Sequence, residues 1–314
     1  MVTRPLTVVH ADWSVGLTKR WAARATLQAT GRYLATASAL ITPAELLVDA
    51  HRGATLIGFD FPIGLPAPYA KRAGVSSFAE LLPLLGHAAW ASFFEVASSR
   101  EEIGLRRPFY PARPGNARRD HLVEGLDLQS ANDLYRRCDV ASGRRACPMF
   151  WTLGGNQVGR AAITGWQEFL QPARAEGVVR LWPFEGPLDE LLETGHTVVA
   201  ETYPANAYEQ IGAALPATTD GRGKRSKASR AASASGIAAW AAGVGIDLSA
   251  DLLHELRDGF GNLATGEDRF DAVAGLLGML SVVEGLTGGR CSQPSGCAAG
   301  GGLDTGSPRK VGRS

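Results

Sequence analysis

Short apolar runs along this chain each end on an acid and are then broken by turn-forming residues. "LTVVHAD" is rich in β-branched residues and ends on Asp12. "RWAARATLQA" and "RYLATASAL" flank Thr30-Gly31 and predict a hairpin. In "TPAE", Thr42 can cap a helix, Pro43 suits its first position and Glu45 can close a capping box. That helix runs through "LLVDAHR" to Gly53. "ATLIGFD" has little polar alternation, which predicts a central strand covered on both faces and ending on Asp60. "FPIGLP" stops it at once. "HTVVAET" ends in the same way on Glu201 and is broken by Pro204.

The order strand, hairpin, helix, strand has a topological consequence. A helix between strands makes a right-handed crossover and returns the chain parallel to an earlier strand. "LTVVHAD" and "ATLIGFD" are then parallel neighbours, with Asp12 and Asp60 side by side at their carboxyl ends. Open α/β sheets place their ligands at that edge. Residues between about 67 and 195 read as a large, mostly helical insertion. After Glu201 come the basic run "GRGKRSKASR", helices through "IAAWAAGVG" and "SADLLHELRDG", and a long helix in "TGEDRFDAVAGLLGMLSVVEGL". Asp268 and Asp271 share one face of that last helix, being three residues apart. Ala274, Gly275 and Gly278 would let it pack closely on the sheet and bring Asp271 to Asp12 and Asp60.

Converging carboxylates repel and lose hydration, a cost that a divalent cation removes. Hard, oxygen-seeking Mg²⁺ or Mn²⁺ is the ion such a set takes, together with phosphate oxygens of a substrate. Each acid also has an ordinary reading. Asp12 and Asp60 can be turn acids, Asp268 can answer the helix dipole behind a Thr265 N-cap, and Glu201 can be a polar strand end. Asp271 lies beyond the first residues of its helix and is harder to dismiss.

Composition narrows the picture only a little. The 314 residues hold 32 Lys+Arg against 31 Asp+Glu, so net charge names no partner. Nucleic-acid contact would have to come from local patches. Arg222, Lys224, Arg225, Lys227 and Arg230 form one such run, read either as a phosphate-contacting loop or as a solvated one. Arginines of the insertion, interleaved with Phe109, Tyr110, Phe150 and Trp151, suit stacking on unpaired bases or ordinary ion pairing. The four cysteines, at 138, 147, 291 and 297, make no zinc pattern and read as free thiols. No signal peptide or membrane span is evident, so a soluble, cytoplasmic protein is expected. Residues 288–314, rich in Gly, Ser and Pro, read as a flexible tail.

This layout resembles the ribonuclease H-like fold, and within it the Holliday-junction resolvases. "ADWS", "GFDFPIGLP", "AETYPA", "EDRFDAVAGLLG" and "VEGL" resemble an uncharacterised family of predicted RNase-H-like nucleases, over about residues 6–286. The closing "VEGL" lacks the aromatic residue expected after its glycine. The resemblance implies an α/β domain over 1–287, with a mixed five-stranded sheet flanked by helices. It also implies metal-dependent phosphodiester hydrolysis of DNA or RNA. Asp12, Asp60 and Asp271 would be metal ligands, with Asp268 and Glu201 assisting. Two alternatives stay open: a nucleotide (ATP)-binding enzyme on the same core, and a non-catalytic nucleic-acid-binding module.

Overall fold

The structure is a computed structural model and describes residues 4–141, 147–154, 158–213, 215 and 223–286. Its strands are β1 (Thr7–Asp12), β2 (Trp21–Leu27), β3 (Tyr33–Ala35), β4 (Ala39–Leu40), β5 (Thr55–Phe59), β6 (Val179–Leu181), β7 (Thr197–Glu201) and β8 (Ile246–Leu248). Two compact units emerge. Among the described residues, the first comprises those up to Asp60 and those from Asp189 to Leu286, and the second comprises those between Phe61 and Leu188. The class is α/β with a mixed sheet. The expected tail at 288–314 lies outside the described residues, as do Cys291 and Cys297, while Cys138 and Cys147 are both half-buried. Among the described residues no helix is long and apolar enough to cross a membrane.

In the first unit the strand order is β7-β5-β1-β2-β3-β8, with β4 also paired to β2. β1 is antiparallel to β2 and parallel to β5. β5 is in turn parallel to β7. The predicted hairpin forms: β2 pairs antiparallel with β3 through a turn in which Gly31 takes φ +77°. The helix Pro43–His51 carries the expected capping box, in which Thr42 accepts from the Glu45 amide and Glu45 accepts from the Thr42 amide. β8 was not foreseen. It is three residues long, lies between two helices and pairs parallel with β3, and a strand that short has no periodicity to read.

The helix Gly266–Val283 is buried from Phe270 to Val283. It is apolar all round because it is enclosed in the core rather than laid on a surface. Two glycines make its approach to the sheet possible. A Cβ at Gly275 would lie 2.3 Å from the His10 ring of β1. One at Gly58 of β5 would lie 2.4 Å from Met279 Sδ. Both gaps are shorter than carbon can tolerate, so the helix axis stays close to the strands only while these positions lack a side chain.

The second unit is less helical than the sequence predicts, being made of short helices and 3₁₀ turns around an aromatic core. Phe109 and Phe150 are fully buried, and Tyr110 nearly so. Phe93 packs edge-on to Phe109 and stacks on Trp166. These rings are therefore core residues and offer no platform for bases. The "FPIGLP" stretch is pinned here too. Trp166 Nε1 donates to the Pro62 carbonyl at 2.8 Å, and Arg136 Nη1 donates to the Ile63 carbonyl at 3.0 Å. Arg136 is buried and forms a two-pronged pair with Asp139 at 2.7 and 3.1 Å. Removing one partner strands a charge in the core. Asp139→Ala is expected to cost about 3–5 kcal/mol, whereas the apolar double replacement of Arg136 and Asp139 should cost far less. Urea unfolding of wild type and the two variants measures both, and equal losses would contradict the expectation.

Candidate metal centre

The strand register decides which acids meet. Ala11 of β1 is level with Phe59 of β5, and Phe59 is level with Glu201 of β7. Asp12 and Asp60 each come one residue later, so they are level with each other. Level residues on neighbouring strands point to the same face, and a step of one residue reverses the face. His10 and Gly58, two residues before the aspartates, face the Gly266–Val283 helix, as their contacts with Gly275 and Met279 show. Asp12 and Asp60 therefore face that helix as well.

The three carboxylates do not all come within 4.8 Å of one another, yet Asp271 lies on that same side. It raises the pKa of both Asp12 and Asp60 through its charge. Asp12 and Asp271 are 8% and 7% exposed, so neither relies on bulk water for its solvation. Asp60 accepts a hydrogen bond from the Trp13 amide at 2.7 Å. The Trp13 loop is itself braced by the buried Arg20, whose guanidinium lies 4.1 Å over the indole ring and donates to the Ser14 carbonyl.

The electrostatics follow from burial. Desolvation pushes Asp12 well above the usual carboxylate range, and Asp60, Asp271 and Asp268 add to this. Desolvation also pushes Asp60 up to about 7, against the opposing Trp13 amide and a hydrogen bond shared with Asp12. Asp271 is raised by burial despite Lys224 and Tyr208, both of which bond to it. Two carboxyls at neighbouring strand ends, beside a third buried acid, form a site short of positive charge.

Asp268 is half-buried at the start of the same helix, and its charge reaches Asp12. Thr265 occupies the cap position without a side-chain capping bond. Glu201 is parted from the set. Level with Phe59 rather than Asp60, its side chain turns to the opposite face of the sheet, and Thr202 occupies the level of the two aspartates.

The basic run divides. Lys224 bonds to Asp271 and lies 3.1 Å from Glu267. Arg225 is well exposed and sits 3.6 Å from Glu267. Lys227 pairs with Asp258 at 2.6 Å. Arg230 departs most from a phosphate-contacting role: it is 2% exposed and donates to the carbonyls of Gly259, Lys224 and Gly261. Arg222 lies outside the described residues.

Glu267 and Tyr208 are additions that the sequence reading did not single out. Glu267 could have been found, since it lies four residues before Asp271 on the same helix face. Tyr208 had no local signal, because its hydroxyl meets Asp271 across 63 residues of chain. The donor set is all carboxylate oxygen, which fits Mg²⁺ or Mn²⁺ and does not suit a thiophilic ion. Family models, curated proteins and solved structures were compared with the chain, and none matches it.

Proposed function

We propose that this chain is a divalent-metal-dependent nuclease built on a ribonuclease H-like core. The observation that carries the reading is the convergence of Asp12, Asp60 and Asp271 on one side of the sheet. They come from two parallel strand ends and one helix, and the charge of Asp271 reaches both Asp12 and Asp60. The layout supports it too. β1, β2 and β3 run antiparallel in sequence, while β1, β5 and β7 run parallel. That is the strand, hairpin, helix, strand arrangement the resemblance implies. β4 and β8 are additions to its five strands.

In this reading Asp12, Asp60 and Asp271 hold the ion, and Asp268 adds negative charge nearby. When bound, Mg²⁺ or Mn²⁺ supplies Lewis-acid polarisation of a phosphoryl oxygen and offsets the charge that develops there. The chain's own groups orient the ligands. Trp13 fixes Asp60 through its amide, and Tyr208 and Lys224 fix Asp271. Arg225, exposed at the rim, can meet a backbone phosphate. The substrate is nucleic acid.

The test is a panel of labelled single-stranded and duplex DNA and RNA, incubated with Mn²⁺ or with EDTA. Cleavage of at least one substrate with Mn²⁺ and none with EDTA is expected. No cleavage of any member, together with tight ATP binding, would replace this reading by a nucleotide-binding one.

A further inference from the structure

Lys224 has an unusual place for a residue of a basic surface run. It sits in the turn Gly223–Arg225, just before the helix Lys227–Ala232. Its ammonium donates to Asp271 Oδ2 and lies 3.1 Å from Glu267 Oε1. The backbone beneath it is held. Buried Arg230 donates to the Lys224 carbonyl at 2.6 Å and anchors itself on the Gly259 and Gly261 carbonyls at 2.9 and 3.1 Å. An ammonium on a pinned backbone, bonded to two acids one helical turn apart, is a built-in cation. Asp12 and Asp60, meanwhile, stand level at the ends of the neighbouring parallel strands β1 and β5.

We propose that Lys224 occupies the place of a second metal ion, so that the site takes one divalent cation on the Asp12–Asp60 side and not two. The inference rests on the metal-site reading above. Its physical basis is charge. A divalent ion placed between Asp271 and Glu267 would sit against the ammonium in a partly buried setting, where like charges repel more than in bulk water. The ammonium also satisfies those two acids at fixed geometry, which a hydrated Mg²⁺ or Mn²⁺ does less readily because it keeps several waters. Lys224 is thus a positioning residue that sets metal stoichiometry and holds Asp271 toward the other aspartates.

The experiment is Mn²⁺ titration of the full chain, with free Mn²⁺ followed by electron paramagnetic resonance. Wild type, Lys224→Met, Lys224→Gln and Lys224→Arg are compared after their thermal melts have been checked. Wild type and Lys224→Arg are expected to bind one Mn²⁺. Lys224→Met is expected to bind two, and Lys224→Gln gives the same answer should the methionine variant not fold. Two ions in wild type would overturn the proposal while leaving the metal site standing. So would one ion of unchanged affinity in both neutral variants. No Mn²⁺ binding by any of the four proteins would reject the metal site itself, and the proposal with it.

Discussion

Asp60→Asn is expected to abolish metal-dependent cleavage and also to remove a pH dependence from the stability of the metal-free protein. The first effect follows from losing a ligand charge. Lewis-acid stabilisation is worth several kcal/mol, so a loss of about 10³-fold in rate is expected. The second follows from linkage. Burial holds the Asp60 carboxyl at about 7 in the folded chain, against 3.8 for an ordinary aspartate. The folded state then binds the proton more tightly than the unfolded state. The associated stabilisation is fully present below about pH 4 and is lost as pH rises through 7. It amounts to roughly 4 kcal/mol at most, and Asp12 titrates jointly with Asp60.

Asparagine keeps an oxygen for the Trp13 amide and has no proton to lose. In EDTA, wild type should lose stability between pH 4 and pH 8 relative to Asp60→Asn. Mn²⁺ should restore wild type at pH 8 and leave the variant unchanged. Parallel pH profiles of the two proteins in chemical denaturation would sink the assignment of that carboxyl.

Gly275→Ala is the second large effect. In an exposed helix this change gains up to about 1 kcal/mol. Here the new methyl group would lie 2.3 Å from the ring of His10, which is fully buried. The ring cannot yield without disturbing the surrounding core, and overpacking of this kind costs about 1–3 kcal/mol or more. Sterics therefore win, and the variant should be destabilised. The helix must also back away from β1, which would draw Asp271 from Asp12 and Asp60 and weaken Mn²⁺ binding even where the fold survives.

His10→Ala opens the space. The cost of Gly275→Ala should shrink or reverse in that background, a coupling typical of touching residues. A double-mutant cycle in urea reads it directly, and equal costs in both backgrounds would show that the close approach does not limit the fold. His10 contributes by shape. Burial lowers its pKa to about 3, so it stays neutral across the physiological range.

The sequence by itself determined the features that depend on neighbours along the chain. Thr42, Pro43 and Glu45 start a helix because a cap needs only adjacent residues. Gly31 makes the hairpin turn because φ +77° is open to it. The runs ending on Asp12 and Asp60 become parallel strands because crossover handedness leaves few alternatives. Gly275 marked the closely packed face of the last helix.

Only the tertiary structure decided which charges meet. Glu201 ends its strand just as Asp60 does, yet a register offset of one residue turns it to the other face of the sheet. Lys224, Lys227 and Arg230 look equivalent in "GRGKRSKASR". They part into an ion pair with the acid site, a pair with Asp258, and a buried anchor on backbone carbonyls. Tyr208 reaches Asp271 from a distant segment. Strand register and helix approach are set by how the whole core packs. A side chain's partner therefore depends on contacts that no local window of residues contains.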